Sequence, residues 1–208
     1  MAFGMGLPGI AICKVRHLPD MAAADDMAEI LALFRDWLFE AEQSGVIEPS
    51  AMILATASAA GLPSARMVLL KQFDERGFAF YTNLRSRKAG EITENPYAAL
   101  FFSWSELDRE VHIAGRVEPV GQKEADAYFA SRPVLSRIGA WASRQSRPLS
   151  GRPLLLGRIV WYAAIWASVR LERPPFWSGF RVVPETVLFR SRENLCHFSV
   201  CPIDSGLS

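Results

Sequence analysis

The chain is short of most residues that mark a familiar chemistry. Its three cysteines, Cys13, Cys196 and Cys201, form no CxxC and no Cys/His spacing that would close round a metal. So sparse and odd a set of thiols fits a reducing compartment and excludes a disulfide scaffold. An excess of one charge is also missing. There are 23 Lys and Arg against 22 Asp and Glu, a net charge of +1, whereas a dedicated nucleic-acid binder carries a strong basic excess. No Walker loop or nucleophile elbow occurs. His17, His112 and His197 are far apart, and Glu40, Glu42 and Glu106 read as solvated faces. The longest apolar run, 153–169, is interrupted by Gly157 and Arg158, which makes it a buried or interface helix and not a membrane span. The apolar start is broken by Gly and Pro with no basic segment before it, so it does not read as a signal peptide. These absences predict a cytoplasmic, soluble protein with no metal, no membrane span and no nucleic-acid partner.

What is present is core material. Half of the 208 residues are hydrophobic, enough for one sizeable domain. Residues 1–22 read as a poorly ordered extension. A helix then starts at Asp25 or Asp26: Met27, Ile30, Leu31, Phe34, Trp37, Leu38 and Ala41 recur at helical spacing until Gly45. After Pro49 the pattern shortens to strands over 51–58, 65–73 and 77–83, two hairpins in succession. Ser86 caps a short helix that stops at Asn95-Pro96. Strands over 97–104 and 109–120 flank the turn SELD. Helices follow over 122–132, 136–143 and 152–170, and strand returns over 179–190 with Pro184-Glu185 as a turn. This order predicts a mainly β chain: a mostly antiparallel barrel of about six strands with peripheral helices.

The stretch FYTNLRSRKAG, 80–90, places Arg85, Arg87 and Lys88 within four positions. Cations in the first turn of a helix oppose its dipole, and a bound anion relieves them. Arg66 and Lys71 on one strand, with Tyr81, Thr82, Arg87 and Lys88 after the next, make a candidate phosphate site. Solvated charges at a helix start explain the same spacing, and the spacing leaves both open. A second group is Tyr128 and Arg132, four apart on one helix face, with Ser136 and Arg137 beyond the proline. It reads as a second phosphate or carboxylate site or as ordinary surface and hinge residues. Arg66 and Lys71 are five apart, so a regular strand points them to opposite faces; serving one ligand each, or a bulge or strand end between them, resolves this.

Taken in order, RMVLLK (66–71), GFAFYTN (77–83), SRK (86–88), NPYAAL (95–100), YFASRP (128–133), SRIGAWAS (136–143), QS (145–146) and PPFWSGFRVVP (174–184) resemble the pyridoxamine 5'-phosphate oxidase family from about residue 25 to 189. The resemblance implies an antiparallel split β-barrel of the FMN-binding type over 23–190. It implies a homodimer with FMN at the interface, and oxidation of pyridoxine or pyridoxamine 5'-phosphate to pyridoxal 5'-phosphate with oxygen as acceptor. It gives the FMN phosphate to Arg66, Thr82 and Lys88. The segment Arg66, Met67, Val68, Leu69, Leu70 and Lys71, with Tyr81, Arg87, Gln145 and Ser146, completes the flavin site. Lys71, Tyr128, Arg132 and Ser136 take the substrate phosphate. The chain departs from the family's pattern in four places. Glu110 stands where the family usually has Gln at the flavin. Arg190 stands for a flavin-contacting Trp. In the divergent tail 191–208, His197, the one catalytic candidate, matches a substrate-contacting His, but Leu195 replaces its Arg neighbour. Segment 153–169 is far more apolar than the charged helix the family has there, and residues 1–22 match nothing in it. Two other readings stand beside this one. One is a related flavin oxidase of another ring, such as a phenazine precursor. The other is a non-catalytic flavin- or pyridoxal-phosphate-binding protein.

Overall fold

The computed structural model describes residues 23–142, 171–192 and 195–199. Helix α1 (Ala23–Gln43) is followed by strands β1 (Ala51–Ala57), β2 (Pro63–Leu69), β3 (Gln72–Asp74) and β4 (Gly77–Asn83) and helix α2 (Arg87–Glu94). Next come β5 (Tyr97–Trp104), a 3-10 turn Ser105–Leu107, β6 (Arg109–Pro119), α3 (Gln122–Ser131) and α4 (Val134–Ala142). Two strands, β7 (Trp177–Ser191) and β8 (Leu195–Ser199), end the described chain. The expectations for residues 1–22 and 152–170 lie outside the described residues. Among the described residues no helix is long and apolar enough to cross a membrane, and no group of three His, Cys, Asp or Glu side chains is placed to hold a metal ion.

The strands form one antiparallel sheet in the order β2-β1-β5-β6-β7-β4-β3, with β8 added to β7. The predicted single strand over 65–73 is in fact two. Leu70 N–H donates to Ser50 O at 2.9 Å, and the next residue, Lys71, donates to Ala79 O at 2.9 Å. The chain thus changes neighbours between two residues, from the β1 edge to β4. The two ends of the sheet are therefore consecutive in sequence and must meet, which curls the sheet into a split barrel. The same break answers the alternation problem of Arg66 and Lys71, because they do not share a strand. It also corrects the expected pairing of the second and third strands: β4 pairs with β3 and β7, and β2 pairs with β1.

Pro184 is not a turn. β7 runs through it, pairing with β4 up to Val182 and with β8 from Thr186. A proline has no N–H to donate, and it sits where neither strand covers that side. Opposite it the register shifts between Ala114 and Gly115. A Cβ on Gly115 would lie 2.0 Å from Val183 O. Gly115→Ala is expected to cost at least the ~1–3 kcal/mol of ordinary overpacking, read as a lower midpoint in thermal or urea unfolding.

The core explains the first helix. Met27, Ile30, Leu31, Phe34 and Ala41 are buried, one stripe at helical spacing. Phe34 plugs the barrel, with its ring 5.0 Å from Phe73, 5.0 Å from Phe78 and 5.1 Å from Phe102, all edge-on. Of these, Phe34, Phe78 and Phe102 are fully buried, each contributing about 1.5–3 kcal/mol.

Candidate functional site

The site is built where β4 leaves the barrel. Asn83 turns the chain: its Oδ1 accepts the Arg85 N–H at 2.8 Å and its carbonyl accepts the Ser86 N–H at 3.0 Å. Arg85 then lies over the Phe176 ring at 4.7 Å. Ser86 precedes α2 with an extended backbone (φ −80°, ψ 156°), and its carbonyl accepts from Ala89 and Gly90. Its hydroxyl does not cap the helix as the sequence predicts. Ser86 Oγ is buried with no hydrogen-bond partner among the described residues. Such an orphan costs about 1–3 kcal/mol.

Two cations lie close to each other beside α2. Lys88, in the first turn of α2, reaches back to donate to Thr82 Oγ1 at 3.2 Å. Burial lowers its pKa, Arg66 lowers it further, and Glu91 opposes only in part. Arg66 points into the barrel opposite Leu54. Its Nη1 donates to Thr56 Oγ1 at 2.5 Å and Leu54 O at 3.3 Å, and its Nη2 to the Ser64 hydroxyl and to Glu91 Oε2 at 2.9 Å. Glu91 also accepts from Thr56 at 2.5 Å, Ser64 at 2.6 Å and Arg87 Nε at 2.7 Å. Burial alone would raise the Glu91 carboxyl, but these donors outweigh it and hold the pKa at about 2. The cradle gathers Arg66, Arg87 and Lys88 round one carboxylate, Glu91, which pairs with Arg66 and Arg87. A phosphate monoester supplies roughly −1.5 to −2. Charge, orphan hydroxyl and helix N-terminus all fit a phosphate.

Of the second predicted group, Tyr128 and Arg132 come together, but not by helical spacing. α3 ends at Ser131, and Arg132 is extended (φ −70°, ψ 147°) ahead of Pro133. Arg132 and Tyr128 meet instead at Trp177. The Arg132 guanidinium lies 4.7 Å from the Trp177 ring centre, and the Tyr128 ring lies 6.1 Å from it. Tyr81 joins the two groups, stacked 4.0 Å from Tyr128 and 5.3 Å from Trp177. Its hydroxyl donates to Gln72 Oε1 at 2.8 Å, and burial, then the Glu124 charge, push its pKa to about 12, so it stays neutral. Arg132 Nη1 and Arg137 Nε are buried with no hydrogen-bond partner among the described residues. Burial lowers the Arg132 pKa. Ser136 opens α4, half-buried, and Lys71 is exposed at the strand break. Arg181, itself buried, ties α3 to the β3–β4 hairpin through Glu124 at 2.5 Å and Asp74 at 2.7 Å.

The remaining predicted residues fall elsewhere. Val68 packs on the core and Leu70 is buried, whereas Met67 is 66% exposed on the outer face. Glu110 also faces outward, alternating with buried Val111 and Ile113. It is the cross-strand neighbour of Arg190, whose Nη1 lies 3.5 Å from its carboxylate. Two of the residues at which the chain departs from the resembled pattern thus form an ion pair, lining a groove of about 260 Å³. His197 stands on β8 opposite Leu188, and its side chain lies outside the described part, as do Gln145 and Ser146. Within one chain, Glu110 and Arg66 are on opposite faces of the sheet.

Sequence reasoning passed over Glu91, Thr56, Ser64, Gln72 and Trp177. Arg87 and Glu91 at i,i+4 were a signal for the first. Thr56 and Ser64 are ordinary strand residues until the register places them side by side.

The fold defines a split-barrel protein, with a cluster of Arg66, Arg87, Lys88 and the unpartnered Ser86 hydroxyl about α2. The family model described as pyridoxamine 5'-phosphate oxidase matches residues 38–165. A pyridoxine/pyridoxamine 5'-phosphate oxidase of Azorhizobium caulinodans is 52% identical over 82% of this chain and 79% of its own length. One of Microcystis aeruginosa is 44% identical over 91% of this chain and 92% of its own. Among solved structures, PhzG from Burkholderia lata in complex with tetrahydrophenazine-1-carboxylic acid superposes with a TM-score of 0.73 at 27% identity, covering 93% of this chain and 100% of that one. The chain belongs to the pyridoxamine 5'-phosphate oxidase family.

Proposed function

We infer that the protein is an FMN-dependent oxidase of pyridoxine and pyridoxamine 5'-phosphates, making pyridoxal 5'-phosphate. The observation that carries this is the cradle: a buried, unpartnered Ser86 hydroxyl at the start of the helix that carries Lys88, itself close to Arg66, in a chain 52% identical to an oxidase of that name. In this reading Arg66, Thr82, Ser86 and Lys88 hold the FMN phosphate, and Arg87 flanks it. The segment 66–71, Tyr81, Gln145, Ser146 and Glu110 surround the flavin. Lys71, Tyr128, Arg132 and Ser136 hold the substrate phosphate, and His197 approaches the substrate from the tail. FMN bound there would supply the redox chemistry, as two-electron acceptor for the substrate carbon that bears the amine or alcohol, with oxygen as the terminal acceptor. The chain's own work is to orient two anionic ligands. Arg190 keeps the Glu110 carboxylate paired, which limits its repulsion of an electron-rich ring.

The placement of Glu110 and Arg66 on opposite faces supports a homodimer in which each flavin site draws on both chains. The outer face supports it too. Met67, Ile53, Phe101 and His112 run in register across four strands, beside a row of Ala65, Ala55, Ala99 and Ala114. An exposed, largely apolar face of this kind marks a contact surface. Ile53→Glu is expected to give a monomer by light scattering and to lose flavin with it. A variant that stays dimeric removes this face from the interface.

The direct test is purified protein with added FMN and pyridoxamine 5'-phosphate. A flavin spectrum, pyridoxal 5'-phosphate and peroxide are expected; protein that stays colourless overturns the reading. The likeness to PhzG favours one second reading, a flavin oxidase whose substrate offers Arg132 a carboxylate instead of a phosphate. A screen of tetrahydrophenazine carboxylates against vitamin B6 phosphates separates the two. Flavin binding without peroxide favours a carrier.

A further inference from the structure

We propose that Trp177 is the positioning residue for Arg132, and that the stack it anchors sets the preference for a phosphorylated over an unphosphorylated ring; this rests on Arg132 as a ligand of the substrate phosphate. Arg132 has left its helix, because Pro133 disfavours the helical backbone there. Its side chain makes no ion pair among the described residues, and what locates it is the face of Trp177 at 4.7 Å, with Phe129 at 5.9 Å. A guanidinium held by its face keeps its edge N–H groups available, and Nη1 is the buried, unpartnered one.

Trp177 is itself fixed. Its N–H donates to Pro174 O at 3.0 Å and its carbonyl accepts from Arg173 Nη1 at 2.6 Å. Its ring meets Phe129 edge-on at 5.2 Å and stacks on Tyr81 at 11° between planes. Tyr81 can lie there because its cross-strand neighbour is Gly179: a Cβ on that residue would lie 2.8 Å from Tyr81 Cδ1. One cluster of three mutually packed rings, Tyr81, Tyr128 and Trp177, thus carries a cation with an open edge. A fork ordered in advance loses little entropy when it binds a phosphate. A ring without the phosphate gains nothing from it.

The test is a calorimetric titration of the flavin-loaded protein with 4-deoxypyridoxine 5'-phosphate and with 4-deoxypyridoxine, neither of which can be oxidised at that carbon. Trp177→Leu is expected to weaken the phosphorylated ligand by roughly 5- to 30-fold and to leave the other unchanged. Trp177→Phe, which keeps an aromatic face and the fold, falls between. In an Arg132→Met background, Trp177→Leu adds no further loss. The proposal is overturned if both ligands weaken equally, if Trp177→Leu and Trp177→Phe weaken neither, or if the loss persists without Arg132. A wild-type protein that does not distinguish the two ligands overturns the substrate reading, and this inference with it.

Discussion

Lys88→Met is expected to move stability and cofactor affinity in opposite directions. In the flavin-free protein Lys88 is a half-buried ammonium next to Arg66, disfavoured by burial first and by that charge second. Methionine keeps the length and apolar stem of the side chain and removes the charge, so the flavin-free variant unfolds at a higher temperature. The same change takes a charged donor from the phosphate. Hydrogen bonds to charged groups contribute about 1.5–3 kcal/mol, so FMN binds roughly 10- to 150-fold more weakly, as read by flavin fluorescence quenching. Unchanged FMN affinity would remove the phosphate from this cradle. A less stable flavin-free protein would show that the like-charge contact with Arg66 is not a cost.

Glu91→Gln has the second large effect, on stability and its pH dependence. The Glu91 carboxyl is buried, and its donors hold its pKa at about 2 against an ordinary 4.5. A carboxyl depressed by folding stabilises above its unfolded value and loses that contribution as pH falls. The contribution here is therefore complete above about pH 4.5 and lost toward pH 2, and the size of the shift corresponds to about 3 kcal/mol. Neutral glutamine retains part of the hydrogen bonding but leaves Arg66 without its counter-charge. Its melting temperature at pH 7 should fall by roughly 6–12 °C, and the variant should unfold with a flatter acid profile between those limits. An unchanged acid profile would mean that Glu91 is not the group that titrates.

How much of this was legible in the sequence depended on the range of the interaction. The α1 stripe from Met27 to Ala41 needs only local periodicity, and it reads correctly. So does the unit from Gly77 to Asn95, where strand, turn and helix follow each other directly. The break at Leu70–Lys71 has no local signal: RMVLLKQF is good strand sequence throughout, and barrel closure, a tertiary constraint, divides it. Pro184-Glu185 misleads for the same reason, since a proline in mid-strand is tolerated only where the neighbouring strands leave its edge uncovered. The Tyr128 and Arg132 pair was found with the wrong geometry. Helical spacing suggested it, and Pro133 and Trp177 make it. Glu91 escaped because a carboxylate in the middle of a short helix looks solvated until Thr56, Ser64 and Arg66 arrive from two strands.

The shared use of β7 has a consequence for synthesis. β4 is flanked by the three-residue β3 on one side and by β7 on the other. When Asn83 leaves the ribosome, the strand that will cover that second edge has not been made, and at about 5–20 residues per second it follows only after several seconds. Over that interval Gly77–Asn83, among the most buried segments of the finished barrel, is an apolar strand with an open edge. The nascent chain is thus most exposed to wrong pairing through the same strand that later leads into the phosphate cradle.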